Sequence, residues 1–208
     1  MILKTDISFT KVYNKIAAVY DRKYAKSCVY ASDLALSILA NQEIKPRKIL
    51  DIGCGTGILL ERILSEDLTI DSYGIDPASE MLSIARNKLP NTTLYQGKAE
   101  DLPFPNASFD TIVSTVAFSH WYNKKLALEE VSRVLSPNGV AIIIEHAMPS
   151  LLQIALLKLI RRLPEFIDLR TAKALVFQTE NLTPCIIEVI NHYLVICVKK
   201  NLGEEKTW

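Results

Sequence analysis

Leu50-Asp51-Ile52-Gly53-Cys54-Gly55-Thr56-Gly57 decides the fold, because three closely spaced glycines directly follow a short apolar strand. Glycines in this place let the backbone turn sharply and let a ligand approach closely. The spacing is G-x-G-x-G, and Ile58 stands where the dinucleotide fingerprint G-x-G-x-x-G requires its third glycine. Asp51 would repel a pyrophosphate but suits an ammonium or a sulfonium. The stretch therefore predicts a site for a cationic ligand without a diphosphate.

A second carboxylate, Asp76, ends the next predicted strand. A carboxylate at the tip of the second strand of a Rossmann-like fold can accept hydrogen bonds from both hydroxyls of a ribose. Pro77 follows it and is a favoured first residue of a helix, so Asp76 can cap that helix as well. The expected ligand thus combines a ribose with a positive group. S-adenosylmethionine (SAM) fits this description, and we expect it to be the cofactor.

Strand and helix signals alternate along the chain, which is typical of βαβ units on a parallel sheet. Two apolar runs near the end, Ile186–Ile190 and Tyr193–Val198, are separated by Asn191-His192 and predict an antiparallel hairpin. The predicted fold class is α/β, with a Rossmann-like, doubly wound, seven-stranded and mostly parallel sheet that includes an antiparallel C-terminal hairpin strand. Predicted parallel strands cover residues 48–53, 71–76, 92–97, 109–115 and 140–145.

The predicted organisation is one domain over residues 1–208. Residues 1–45 are expected to form an N-terminal helical cap, and residues 147–182 a helical lid insertion. The strongly apolar helix expected at 150–163 has several readings. It could line an apolar acceptor pocket, form a homodimer interface, rest on a membrane surface or be buried inside the protein.

The composition favours a folded protein without a nucleic-acid partner. Apolar residues make up 49% of the 208 residues and charged residues 23%, which excludes disorder as the main state. The net charge of +1 lacks the basic excess typical of nucleic-acid binders. The four cysteines are scattered without metal-ligand spacing, so no metal is expected. MILKTDISFTK has no apolar signal region and Leu151–Ile160 is too short to span a bilayer, so we expect a cytoplasmic protein without a transmembrane segment.

Four stretches of the chain resemble one known family. They are LDIGCGTG (50–57), GIDPASEML (74–82), GKAEDLPFPNASFDTIVS (97–114) and LEEVSRVLSPNGVAIII (128–144). In this order they look like class I SAM-dependent methyltransferases of the ubiquinone/menaquinone-biosynthesis-like branch, methyltransferase type 11. The resemblance extends from Tyr13 to Ile144, with a weaker similarity at Tyr193–Lys200.

The resemblance implies a set of cofactor contacts. Asp51 and the glycine loop would hold the methionine moiety, Asp76 the ribose hydroxyls, and Tyr20 would close over the cofactor. Many relatives have an aspartate where this chain has Lys98, and lysine cannot accept a hydrogen bond from the adenine amino group. The implied cofactor-binding residues are Tyr20, Asp51, Gly53, Cys54, Gly55, Thr56, Gly57, Asp76, Pro77, Met81, Ala99, Glu100 and Thr115.

His120 is the candidate catalytic residue. It follows the fourth predicted strand within FSHWY (118–122) and should face the cleft at the carboxyl ends of the strands. As a general base it would need hydrogen-bonding reach to the acceptor proton. The alternative is a histidine that packs beside the cofactor and caps the next helix.

The expected function is SAM-dependent methyl transfer to a small, apolar or amphipathic acceptor. Most of the catalysis should come from proximity and orientation, because the leaving group of the cofactor is already activated. Two alternatives stay open. One is a methyltransferase-like module that binds SAM or its product S-adenosylhomocysteine (SAH) without catalysis. The other is a nucleotide-dependent oxidoreductase, against which Asp51 and the missing third glycine argue.

Overall fold

A seven-stranded sheet forms the centre of the structure, a computed structural model that describes residues 6–147 and 167–201. The strands are β1 (Lys48–Ile52), β2 (Asp71–Asp76), β3 (Thr93–Gln96), β4 (Phe109–Thr115), β5 (Leu135–His146), β6 (Leu182–Ile190) and β7 (Tyr193–Lys200). Their order across the sheet is β3-β2-β1-β4-β5-β7-β6. The first five strands run parallel, and β7 runs antiparallel to both of its neighbours. The predicted fold class is confirmed.

Helices cover both faces of this sheet. They are α1 (Asp6–Asn41), α2 (Ile58–Glu66), α3 (Ser79–Lys88), α4 (Lys124–Val134) and α5 (Leu169–Phe177). One apolar cluster joins the sheet to α1, α2 and α3, and a second joins the opposite face to α4 and α5. Ile142 and Ile144 belong to the first cluster and Ile143 to the second. A strand that is buried on both faces has a continuous run of apolar residues, which explains residues 140–144 of β5.

Helix α1 is longer than its pattern predicted and ends in a Schellman motif. The helical signal covered residues 11–40, whereas the helix has 36 residues, Asp6–Asn41. Beyond its end, the amide of Ile44 donates to the carbonyl of Leu39 at 2.9 Å, and the amide of Glu43 to that of Ala40 at 3.0 Å. Glu43 adopts the left-handed conformation, with a φ of 53°, that usually requires glycine. A length of about 54 Å follows from the helical rise, so α1 can reach across the whole sheet.

The C-terminal hairpin forms where the sequence predicted it. Asn191 and His192 have φ values of 46° and 69°, the left-handed pair that a two-residue turn between twisted strands requires. Ile190 pairs with Tyr193 across this turn. The hairpin strands are longer than predicted, because β6 begins at Leu182 and β7 extends to Lys200.

Pro137-Asn138-Gly139, which the sequence predicted as a turn before the fifth strand, is a bulge inside β5. Leu135 already pairs with Phe109 of β4, and the regular register resumes only at Val140, opposite Thr111. The intervening residues loop out, with Asn138 at a φ of 63°. The turn signal of these three residues could not show that Leu135, two positions before Pro137, is already paired with β4.

Part of the predicted lid lies outside the described residues. The helix expected at 150–163, and with it the proposed homodimer contact, cannot be compared with the structure. Helix α5 follows this segment and starts at an Asp168 cap, whose carboxylate accepts from the amide of Thr171 at 2.8 Å. Within the two described ranges, no helix is long and apolar enough to cross a membrane.

Candidate active site

A cleft opens at the carboxyl ends of β1, β2 and β4. It lies at the point where the strand order reverses between β1 and β4, the usual ligand site of open α/β sheets. Most of the predicted site residues line it. They are Tyr20, Gly53, Gly55, Asp76, Pro77, Met81, Ala99, Glu100, Thr115 and His120.

The shape of the glycine loop depends on its close contacts with neighbouring residues as well as on its backbone conformation. Gly53 has a φ of +77°, and a Cβ atom there would clash with the Cβ of Ala117. Its amide donates to the carbonyl of Ile75 at 2.8 Å, which ties the loop to β2. Gly55 has a φ of +53°, and a Cβ atom there would meet nothing within 4 Å. The two glycines therefore serve different purposes, since only Gly53 combines its conformation with a steric requirement.

We expect Gly53→Ala to cost more stability than Gly55→Ala. The left-handed backbone costs about 1–2 kcal/mol at either position once a Cβ is present. Gly53→Ala must in addition displace Ala117. Urea unfolding of both variants checks this, with a difference of at least about 1 kcal/mol expected from overpacking at Gly53. Equal losses of stability in the two variants would mean that the contact with Ala117 relaxes freely.

Three predicted residues of the loop contribute backbone or packing and do not line the cleft with a side chain. Gly57 precedes α2 with a φ of 83°, and a Cβ atom there would lie 2.6 Å from the Leu89 side chain. Cys54 is buried, and its thiol lies where a Cβ on Gly74 would approach to 2.9 Å. Thr56 is buried and donates to Asp21 of α1 at 2.5 Å. Their contacts with the cofactor stay predictions, and backbone atoms would have to make them.

Asp76 organises the loop through both of its carboxylate oxygens. Oδ2 accepts from the amide of Gly55 at 2.9 Å, and Oδ1 from the amide of Ala78 at 2.8 Å. Burial raises the pKa of Asp76 to about 6, although these two hydrogen bonds oppose the shift. Each oxygen keeps further acceptor capacity. Asp76 can therefore hold the loop and cap α3 while still accepting from ligand hydroxyls.

Asp51 is a buried carboxylate with an unsatisfied oxygen. The residue is 2% exposed, and its Oδ1 has no hydrogen-bond partner in the structure. Burial and the negative charge of Asp76 raise the pKa of Asp51 to about 8. A buried charge without a partner is costly, so the ionised form calls for a cation. At neutral pH the ligand-free site therefore carries the negative charge of Asp76, and a positively charged ligand group would favour the ionisation of Asp51 as well.

Helix α1 covers the cleft and is tied to the glycine loop. Asp21 accepts from Thr56 at one oxygen and from Lys88 of α3 at the other, each at 2.5 Å. The preceding residue, Tyr20, lines the cleft, and burial raises the pKa of its hydroxyl. Small residues bring α1 close to α3, where Ala17 packs in one cluster with Met81. The packing of α1 against α3 and the ion pair between Asp21 and Lys88 therefore hold Tyr20 over the site.

The region expected to hold the adenine is built from β2, α3 and the loop after β3. Pro77, Met81, Ala99 and Glu100 all line the cleft there. Glu100 accepts from the amide of Asn123 at 3.0 Å, so one of its oxygens is already engaged. These residues offer apolar flanks with a carboxylate at the edge, which suits a flat heterocycle.

The opposite end of the cleft follows β4. Thr115 ends the strand, and Val116 has a φ of 54°, a strained conformation for a β-branched residue. Such strain concentrates at functional sites and costs about 1–3 kcal/mol. The turn Phe118–His120 comes next and brings the His120 side chain into the cleft. Its catalytic role stays a prediction.

Sequence reasoning missed several lining residues, above all those of α1. Phe9, Thr10 and Tyr13 reach the cleft from the start of that helix. The spacing of Phe9, Tyr13 and Tyr20 at i, i+4 and i+11 puts three aromatic rings on one helical face, a signal that could have found them. The other missed residues are Ile52, Ile75, Gly97, Val116, Ala117, Trp121 and Tyr122. Lys98, which the resemblance placed beside the adenine, also lines the cleft.

Comparison with known proteins identifies a family that the middle of the chain matches. Residues 50–143 match the family profile Methyltransf_11, described as a methyltransferase domain. Together with the relatives and structural neighbours, this match supports a class I SAM-dependent methyltransferase of the type 11 branch. The match contains the glycine loop, Asp51, Asp76 and His120. The resemblance drawn from the sequence motifs is thereby confirmed.

Individual relatives place this methyltransferase domain in a wide family. The ubiquinone/menaquinone biosynthesis C-methyltransferase UbiE of Campylobacter jejuni is 31% identical over 146 residues, 65% of this chain and 62% of that protein. The chain thus spans less than two thirds of the length of this curated relative. A possible histamine N-methyltransferase from Thermotoga maritima has a TM-score of 0.70 at 18% identity, covering 92% and 99% of the two chains. The [4+2]-cyclase SpnF reaches a TM-score of 0.78 at 14% identity and covers 98% of each chain.

Proposed function

We propose that the methyltransferase domain binds SAM in the cleft and transfers its methyl group to a small, apolar or amphipathic acceptor. The observation that carries the proposal is Asp51, a buried carboxylate with an unsatisfied oxygen beside the glycine loop. A cationic amine would satisfy that oxygen and compensate the buried charge. SAM carries an ammonium at one end of its methionine chain and a ribose beyond the sulfonium at the other end, and Asp76 can accept from the ribose hydroxyls.

The remaining residues fit the same ligand. The backbone at Gly53 and Gly55 leaves room for a ligand to lie against the loop. Pro77, Met81 and Ala99 offer flat apolar surface for an adenine, and Tyr20 covers the site from above. When bound, SAM supplies a methyl group on a positively charged sulfur, which is already activated for transfer. The protein then has to hold the acceptor in line, exclude water and accept any proton that the acceptor loses.

The acceptor proposal rests on the lining of the cleft beyond Thr115. Phe9, Trp121 and Tyr122 contribute apolar or amphipathic surface there. The near-neutral charge of the chain favours a small molecule over nucleic acid. We further propose a cytoplasmic protein with residues 1–208 as one domain, residues 1–45 as its cap, residues 147–182 as its lid and a homodimer contact at 150–163.

The two alternatives make different demands on the site. A module that binds SAM or SAH without transferring methyl needs the same Asp51 and Asp76 but no acceptor pocket. The name of the [4+2]-cyclase neighbour shows that at least one protein of this fold is assigned a different reaction. An oxidoreductase would have to place a diphosphate beside the buried carboxylate of Asp51, which repulsion disfavours.

Methyl transfer is tested with SAM that carries a ¹³C-labelled methyl group, incubated with the protein and a small-molecule extract of the expression host. We expect at least one labelled apolar product by mass spectrometry, formed only with the active protein. The matched control is Asp76→Ala, in which the same product should fall at least tenfold because the ribose partner is lost. SAM binding without any labelled product would favour the binding module and contradict the proposed transfer.

A further inference from the structure

We propose that Tyr13 and His120 form a proton relay for the methyl acceptor, with Tyr13 as a further catalytic residue. The proposal rests on the proposed methyl transfer and adds the kind of acceptor group that the site is built for. That group is one that loses a proton on methylation, such as a hydroxyl. Tyr13 lies 107 residues from His120 in the sequence, and only the fold brings the two side chains together.

The contact between the two side chains is direct. The Tyr13 hydroxyl and Nε2 of His120 are 2.8 Å apart, within hydrogen-bonding distance. Their ring centroids lie 5.5 Å apart in an edge arrangement. The Phe9 ring packs against the same imidazole at 4.6 Å. All three side chains line the cleft, so the pair faces the space where an acceptor would lie.

The imidazole is fixed by the turn that carries it. The amide of His120 donates to the carbonyl of Ala117 at 3.0 Å. Within the same turn, the amide of Ser119 donates to the buried carboxylate of Glu145 at 2.8 Å. The strained Val116 leads into this turn, and its own amide donates to the carbonyl of Ile144 at 2.7 Å. A strained residue and a buried carboxylate are thus used to hold one histidine at the cleft.

The surrounding charges decide which group takes the proton. Burial, followed by the charges of Glu145 and Asp76, raises the pKa of Tyr13 above its ordinary value of 10.0. Tyr13 is therefore a neutral phenol at neutral pH and cannot itself be the final base. The same two carboxylates, on β5 and β2, favour the arrival of a positive charge nearby. His120 is thus the terminal proton acceptor, and Tyr13 connects it to the acceptor molecule.

The step balances as a coupled transfer of two protons. The acceptor hydroxyl gives its proton to the Tyr13 oxygen while the Tyr13 proton moves to Nε2 of His120. The electron pair left on the acceptor oxygen forms the bond to the methyl carbon. The pair of the broken carbon–sulfur bond stays on sulfur, and the imidazolium of His120 later releases its proton to water. No oxidant or metal is needed.

The relay is tested by the binding of small ligands, which requires no methyl transfer. Phenol and its methyl ether anisole, which differ by one donor hydrogen, are titrated into the protein with and without SAH and followed by NMR. We expect phenol to bind about tenfold more tightly than anisole, as one hydrogen bond of about 1.4 kcal/mol requires. In Tyr13→Phe this preference should disappear. Tyr30→Phe is the matched control, since Tyr30 lies on the same helix but stacks on Tyr193 outside the cleft.

A second readout follows His120 itself. In ¹⁵N-histidine-labelled protein, we expect the Nε2 resonance of His120 to shift in Tyr13→Phe and to stay in place in Tyr30→Phe. Equal binding of phenol and anisole to the unmodified protein, or an unchanged preference in Tyr13→Phe, would overturn the relay. Failure of SAH to bind would instead count against the proposed function, because the tests of Tyr13 and His120 are also carried out without it.

Discussion

Asp76→Ala is expected to lower the affinity of the protein for SAM by about 100-fold, as the loss of about 3 kcal/mol in charge-assisted hydrogen bonds to the ribose implies. The effect has two sources. The substitution removes the acceptor for the ligand hydroxyls, and it also frees the amides of Gly55 and Ala78 that now bind the two carboxylate oxygens. Isothermal titration calorimetry of the variant measures the loss directly.

Two further variants test whether the loss is specific to the carboxylate of Asp76. Asp76→Asn keeps the shape of the side chain but turns one oxygen into a donor that faces a backbone N–H. Asp71→Ala removes a half-exposed carboxylate at the other end of the same strand, where it pairs with Lys48 at 3.5 Å. We expect Asp76→Asn to lose most of the affinity and Asp71→Ala to retain it. SAM binding to Asp76→Ala within threefold of the unmodified protein would exclude Asp76 as the ribose ligand.

Asp51→Asn is expected to stabilise the ligand-free protein at high pH while weakening its binding of SAM. The folded protein holds a proton on Asp51 up to a pH of about 8, whereas the unfolded chain releases it near 3.8. The folded state therefore binds more protons between these values, and the free energy of unfolding falls as pH rises through that window. Asparagine removes this loss, so at pH 9 the variant should be more stable by about 2 kcal/mol or more.

Urea unfolding at pH 5.5 and pH 9 measures this effect. The free energy of unfolding of Asp51→Asn should exceed that of the unmodified protein by a large amount at pH 9. The difference should be smaller at pH 5.5, where Asp51 of the folded protein still holds its proton. Asp76 titrates in the same direction, with a pKa of about 6, and accounts for the slope that remains in the variant. A variant less stable than the unmodified protein at pH 9, or one that binds SAM equally well, would contradict the role of Asp51 as a carboxylate kept for a cation.

The parts of the fold that local patterns determine could be predicted. The strand that runs into Gly53 and the carboxylate at Asp76 each follow from a few adjacent residues, and both meet at the same cleft. The two-residue turn at Asn191-His192 is also a local signal, because Asn and His adopt its left-handed backbone more readily than most residues. The mostly parallel sheet then follows from the alternation of strands with helices.

The parts of the structure that depend on contacts between distant residues could not be predicted from the sequence. Tyr13 meets His120 only because α1 crosses the cleft, and no signal within either segment shows the partner. The left-handed conformation of Val116 could not be predicted either, since its own β-branched side chain disfavours that conformation. Asp51 was expected from its position, but its unsatisfied oxygen and raised pKa arise from burial beside Asp76.

The central claim is that the cleft binds SAM, and calorimetric titration of the purified protein tests it most directly. SAM, SAH, NAD and ATP are titrated separately, and the SAM titration is repeated in two buffers of different ionisation enthalpy. We predict saturable binding of SAM and SAH at one site, no binding of NAD or ATP, and release of a proton at pH 7 as Asp51 ionises. Binding of NAD, or no heat with either SAM or SAH, would contradict the account.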